Sequence, residues 1–172
     1  IGVTGVQTCA LPILIPPEYH YKLFVCKQFK TWVNTFIPDK FESLEFDEPR
    51  LVIPFLDKDL NLLGFQGRSF RKTAKLRYIT IMTDEDNPKI YGLDTVDFNK
   101  RVYVLEGPID SMFIDNSLAT AGGDLITTLP LLCDQQDKYT IVYDNQPRNP
   151  EVVASISKAI GKQYSVCLWP ES

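Results

Sequence analysis

The chain has a single histidine, His20, among 172 residues, and its four cysteines, Cys9, Cys26, Cys133 and Cys167, include no C-x₂-C pair. A structural zinc site is therefore not expected within it, and no disulfide framework is signalled. No apolar run reaches the roughly 18 residues that mark a membrane-spanning helix. An excess of positive charge is missing too. Lys and Arg total 18 against 22 Asp and Glu, for a formal charge of -4, so a polyanion would have to be held by a local patch or through a metal. Cytosolic residence is the simplest expectation. The chain also lacks an initiator methionine and opens Ile1-Gly-Val-Thr-Gly-Val-Gln-Thr-Cys-Ala-Leu-Pro-Ile13. No basic stretch precedes that run, which argues against a secretory signal. It is similar to translated sequencing-adaptor read-through, so residues 1–13 are expected to be non-native and are set aside. The other end, Leu168-Trp169-Pro170-Glu171-Ser172, follows an expected strand so closely that a fragment of a longer protein is expected.

What is present fits one domain, or a domain with a small appendage. Residues 21–36 mix aromatics with Lys22, Lys27 and Lys30 and suggest a short helix or an irregular basic segment. Residues 38–50 are acidic and read as a solvated connection. Leu51–Leu56 and Leu62–Gln66 read as a hairpin, with Pro54 pointing to an edge strand or a bulge. A third strand, Leu76–Met82, follows a run holding Arg68, Arg71, Lys72, Lys75 and Arg77. That run is either a wet face or a phosphate-contacting loop, which would give affinity rather than base reading.

From residue 101 the pattern is β-α-β-α-β-α-β with short links, which predicts a parallel sheet with helical crossovers. The strands are expected at 102–105, 118–121, 139–143 and 165–169. Helices are expected over 108–116, led by Pro108, over 125–132 with Asp124 as its cap, and over about 150–159 with Val152, Val153, Ile156 and Ile160 as the apolar stripe. Two of these strands end in acids. Val102–Leu105 delivers Glu106, followed by Gly107 and Asp110, and Tyr139–Tyr143 delivers Asp144. Carboxyl ends of parallel strands are where an open α/β sheet places its chemistry. Hard oxygen ligands there suit Mg²⁺ or Mn²⁺. Either motif alone is an ordinary acidic turn; the pair points to a metal site. Asp124 reads first as a helix cap, Trp32 and Trp169 as packing residues, Cys133 and Cys167 as core fillers, and His20 as incidental.

These residues carry a likeness. Residues 101–170 resemble a Toprim domain, the metal-binding α/β module of DnaG-type primases, topoisomerases and related nucleases, through Glu106-Gly107 with Asp110 and the later strand-end Asp144. Four earlier blocks, Val52-Ile-Pro-Phe, Leu63-Gly-Phe-Gln-Gly-Arg68, Leu76-Arg-Tyr-Ile79 and Ile90-Tyr-Gly-Leu93, resemble the run before Toprim in bacterial and phage primases. Glu106-Gly-Pro-Ile-Asp110 and Tyr143-Asp-Asn-Gln-Pro-Arg-Asn149 are most similar to primases of large tailed bacteriophages. The likeness departs at one point, because the family's Asp-x-Asp is here Asp144-Asn145-Gln146, with a neutral third member.

The resemblance implies an α/β protein with a Toprim-like parallel sheet flanked by helices on both faces, preceded by a small α+β subdomain with antiparallel strands. The expected division is a basic subdomain over 14–99, truncated at its start, and a Toprim domain over 100–172, truncated at its end. It implies Mg²⁺-dependent synthesis of short RNA primers on single-stranded DNA from ribonucleoside triphosphates, with a replicative helicase as partner, by a phage-encoded enzyme in the cytoplasm of a bacterial host. Glu106, Asp110 and Asp144 are the expected catalytic acids, and Glu106, Asp144 and Gln146 the expected metal ligands. Arg68, Lys72, Lys75, Arg77 and Arg148 are the expected contacts to template or triphosphate. Gly64 and Gly67 are expected in turns that bring backbone close to phosphate. The alternatives are a Toprim nuclease or topoisomerase fragment, or a nucleic-acid-binding module without catalysis.

Overall fold

The computed structural model describes residues 3–5, 15–122, 125–127, 129–132, 136–146 and 148–170. The chain forms two compact units, one of residues 1–55 and 62–87, the other of residues 56–61 and 88–172. The boundary expected between 99 and 100 lies inside the second unit. Asp124, Cys9 and Cys133 lie outside the described residues.

The first unit is built on a sheet ordered β1 (Val3–Gly5), β2 (Phe24–Cys26), β3 (Arg50–Leu56), β4 (Leu62–Ser69) and β5 (Tyr78–Met82). Its β1–β2, β2–β3 and β4–β5 pairs are antiparallel. The link between β3 and β4 is far too short for a parallel crossover, so these neighbours form the expected hairpin. β1 lies within the stretch set aside as non-native, and its Val3 pairs with Cys26. β3 is the central strand of the five and not the edge strand that Pro54 suggested; the proline is tolerated because β2 covers β3 only at residues 50–52 and leaves the strand open beyond them.

Helix α1 (Phe29–Asn34) packs on this sheet through Phe29 and Val33, which join Cys26, Val52, Phe65 and Ile81 in one core. Trp32 belongs there as expected, its ring centroid 5.1 Å from that of Phe65. The α1 N-cap, Gln28, makes no side-chain cap. Asp47 replaces it from the acidic connection, accepting from the backbone N–H groups of Lys30 (2.7 Å) and Thr31 (2.9 Å) and from the Thr31 hydroxyl (2.7 Å). The connection is thus partly structural rather than merely solvated: it satisfies helix-end donors that would otherwise be orphaned. His20 also has a partner, with Nε2 placed 2.8 Å from the Ile15 carbonyl oxygen.

Gly64 and Gly67 lie inside β4 rather than in turns. A Cβ on Gly67 would run into the Phe29 ring, and one on Gly64 would stand 2.6 Å from the Ile81 carbonyl oxygen. Their small size serves packing within the sheet.

The second unit carries a four-stranded sheet ordered β7 (Ser117–Ala119), β6 (Val102–Leu105), β8 (Tyr139–Ile141) and β9 (Ser165–Val166), with every neighbouring pair parallel. Val102, Val104, Leu105, Leu118, Tyr139 and Ile141 are buried, as continuous apolar runs of a parallel sheet should be. β6 spans its expected range, whereas β7, β8 and β9 end short of the expected residues 121, 143 and 169. Helix α2 (Pro108–Ser111) is a single turn with Pro108 in its first turn. The helix expected over 125–132 is not formed among the described residues, where a 3₁₀ turn at Leu129–Leu131 stands instead. Pro130 lacks the N–H that an α-helix needs there. Helix α3 (Pro150–Gly161) is capped by the Asn149 side chain, which accepts from the Glu151 N–H at 3.0 Å. Its inner face is Val152, Ile156 and fully buried Ala159, while Val153 and Ile160 of the expected stripe are exposed.

Candidate active site at the carboxyl ends of the parallel strands

Register brings the two acids together. Val104 stands opposite Ile141, and the Val142 N–H donates to the Val104 carbonyl at 2.8 Å, which extends the pairing past the strand proper. Two further steps set Glu106 level with Tyr143, with Asp144 one residue beyond on the adjacent strand. Gly107 then turns the chain into α2. A Cβ at Gly107 would run into Oδ2 of Asp110, so the glycine lets the Asp110 carboxylate fold back toward the strand end.

Glu106, Asp110 and Asp144 line one cavity of about 430 Å³, with Phe113, Val142 and Trp169 among its walls. Surrounding protein raises the Glu106 carboxyl above the ordinary range, and the negative charges of Asp144 and Asp110 push it further in the same direction. All three acids are exposed by area, yet desolvation is the largest cause at Glu106 because the cavity walls displace water from around its carboxylate. Like charges gathered at a strand-end cavity are what a cation relieves. Among the described residues, no three His, Cys, Asp or Glu side chains converge closely enough to enclose a metal ion by themselves. The acids that do line the cavity, Glu106, Asp110 and Asp144, are hard oxygen donors of the class that suits Mg²⁺ or Mn²⁺.

Gln146 is not in this cavity. Its Oε1 accepts from Asn149 Nδ2 at 2.9 Å, and it lines a second cavity of about 590 Å³ together with Arg148, Ile156 and Cys167. Tyr143, Asp144, Asn145 and Trp169 are common to both cavities, so the Asp144 strand end forms the wall between them. Arg148 thus shares a cavity with Asp144. Cys167 is only partly buried there rather than a core filler. Trp169 is 49% exposed, not a packed core residue, and its indole N–H donates to the Tyr143 carbonyl at 2.8 Å.

The basic residues of the first unit cluster around β4 and β5. Arg68 and Arg77 each place a guanidinium 5.7 Å from the centroid of the Tyr78 ring, with Arg68 directly across the strand pair from Tyr78. Lys72, Lys75 and Arg77 are exposed, as is Tyr78. Arg50 was hidden from sequence reasoning by its place at the end of the acidic connection. It is 5% exposed and donates to the carbonyls of Gly67 (3.0 Å) and Leu76 (2.8 Å) and to Glu48 Oε1 (2.6 Å). It therefore ties both ends of the basic loop to the sheet. Tyr78, Phe113 and Arg50 are the site and support residues that sequence reasoning missed. An aromatic between two arginines, Arg68 across the hairpin and Arg77 next to it, was the one available signal.

No known family profile matches the chain. It is 36% identical over 159 residues, 92% of its length, to the DNA primase of Enterobacteria phage T4, and it spans 45% of the length of that relative. Among solved structures, the zinc-binding and RNA polymerase domains of the Aquifex aeolicus primase match 91% of this chain, with a TM-score of 0.63 at 18% identity, over 47% of that chain. The RNA polymerase domain of the Mycobacterium tuberculosis primase DnaG matches 98% of this chain, with a TM-score of 0.62 at 18% identity, over 71% of its own. Likeness at such identity speaks to the fold, and the fold is that of DnaG-type primase cores.

Proposed function

We propose, for a chain that is a homologue of the phage T4 DNA primase and folds as DnaG-type primase cores do, that it carries the catalytic part of a primer-synthesising enzyme. The observation that carries this reading is the gathering of Glu106, Asp110 and Asp144 in one cavity at adjacent parallel strand ends. The reaction joins the 3′-hydroxyl of a growing RNA to the α-phosphorus of the next ribonucleoside triphosphate, breaking its bond to the β-phosphate bridge and releasing pyrophosphate. A divalent cation, Mg²⁺ or Mn²⁺, supplies positive charge against the reacting oxygens and lowers the pKa of the attacking hydroxyl. Glu106 and Asp144 would hold it, and Asp110 adds negative charge beside them. Glu106 would also be a candidate base for the hydroxyl proton. Gln146, held by Asn149, would contribute from the neighbouring cavity by orienting Asn149 and the strand end rather than as a ligand.

Arg68, Lys72, Lys75 and Arg77 would hold single-stranded template or triphosphate through phosphate, with Arg68 and Arg77 resting their guanidiniums on the Tyr78 ring. Arg148 would meet phosphate from the Asp144 side. A replicative helicase in the bacterial cytoplasm is the corresponding partner. Identity to a named primase favours this reading over a Toprim nuclease or a topoisomerase fragment. Among the described residues no helix is long and apolar enough to cross a membrane.

Primer synthesis by the full-length parent protein, assayed with labelled ribonucleotides across a Mg²⁺ titration, tests the proposal. Glu106→Gln should abolish synthesis without unfolding the chain, because it removes a charge at a strand end and no core volume. Full activity in that variant would end the catalytic assignment.

A further inference from the structure

Trp169 is the residue whose setting sequence reasoning explained least. A tryptophan serving the core would be covered, yet Trp169 is 49% exposed. It is not loosely held either: its one polar atom is fixed by the 2.8 Å bond from Nε1 to the Tyr143 carbonyl, one residue before Asp144. The indole stands between two cavities, the acidic one of about 430 Å³ and the Arg148-lined one of about 590 Å³. Both are within the range of small-molecule sites, and each combines apolar walls with few charged groups. Phe113, 53% exposed, lies on the acidic side. A ligand that fits must therefore be anionic enough to meet a carboxylate-held cation and Arg148, while presenting a flat apolar face to a fixed aromatic ring. A nucleoside triphosphate has both parts.

We propose that Trp169 is a stacking platform for the base of the incoming ribonucleoside triphosphate, whose phosphates reach the cation at Glu106 and Asp144. The inference rests on the proposed metal site and goes beyond it by locating the base. Because the Nε1 bond already holds the ring in place, little side-chain entropy is lost on binding. Stacking reads the π-face that every base has, so the platform accepts all four ribonucleotides, and the template, not Trp169, selects among them.

Tryptophan fluorescence provides the test. The chain has two tryptophans, and the difference between the wild type and Trp169→Phe isolates the signal of Trp169. Titration with Mg²⁺ and GTP should quench that signal, whereas Mg²⁺ with inorganic tripolyphosphate should not. Trp169→Ala should weaken GTP binding about tenfold, the scale of losing one base–aromatic stack. The same variant should bind tripolyphosphate as the wild type does. Trp169→Phe keeps an aromatic face and should retain most of the GTP affinity, which separates stacking from misfolding in the alanine variant. Mn²⁺ binding, followed by electron paramagnetic resonance, reports the metal site separately. If Mn²⁺ binds through Glu106 while GTP affinity ignores Trp169→Ala, the platform is wrong and the metal site stands. If Mn²⁺ does not bind but GTP still quenches Trp169, the metal reading falls and the base site survives. Failure of both Mn²⁺ binding and quenching overturns both.

Discussion

Charged side chains in the two units meet opposite surroundings at three places. In the first unit, Arg50 has Glu48 and two well-placed carbonyls, and Asp47 has the open donors of α1. In the second, Glu106 faces the like charges of Asp110 and Asp144 across a cavity. A charge surrounded by its complement is architecture. A charge held against its own kind awaits a counter-charge, and that contrast separates support from site more reliably than residue type does.

The comparison is broken most severely at Arg50. Arg50→Ala should cost about 3 kcal/mol or more, because it leaves Glu48 and buried carbonyls without their donor. Urea unfolding of the variant measures this, and a loss below about 1 kcal/mol would place Arg50 among ordinary surface pairs. Gly67→Ala comes next, at about 1–3 kcal/mol, since a methyl group must displace the Phe29 ring in a packed core. Asp47→Ala should cost about 1 kcal/mol through loss of the distal cap on α1, read from the same unfolding curves.

The smallest effect has the opposite sign and sharpens the contrast. The folded state raises the Glu106 pKa, so Glu106 contributes stability that is fully present below the ordinary carboxylate range. That contribution is lost as pH rises through the raised folded value. Without metal, Glu106→Gln should therefore melt above the wild type at neutral pH, and the gap should close on acidification. Scanning calorimetry over that pH interval checks it; a variant less stable at neutral pH would mean that Glu106 has a structural partner.

Much of this was legible in the sequence where the signal was local. The run Val102–Leu105 before Glu106, the start of β8 at Tyr139 and the start of α3 at Pro150 are each contained in a few residues and lie where the pattern puts them, although β8 ends at Ile141, two residues short of the expected run. What could not be read depends on residues distant in sequence. Nothing near Arg50 announces the carbonyls of Gly67 and Leu76. Gly64 and Gly67 look like turn residues until Ile81 and Phe29 are placed against them. Gln146 stands in the family's third acidic position, but its capture by Asn149 is a matter of loop geometry. Trp169 looked like core because its neighbours in sequence are apolar, and only the sheet edge shows it beside a cavity.

The central claim, that the like-charged cluster exists to hold a divalent cation, is tested most directly by Mn²⁺ binding to the chain followed by electron paramagnetic resonance. The account predicts a bound Mn²⁺ whose affinity rises as Glu106 deprotonates, and loss of that binding in both Glu106→Gln and Asp144→Asn. Mn²⁺ binding that is indifferent to pH and unchanged in the two variants would contradict it.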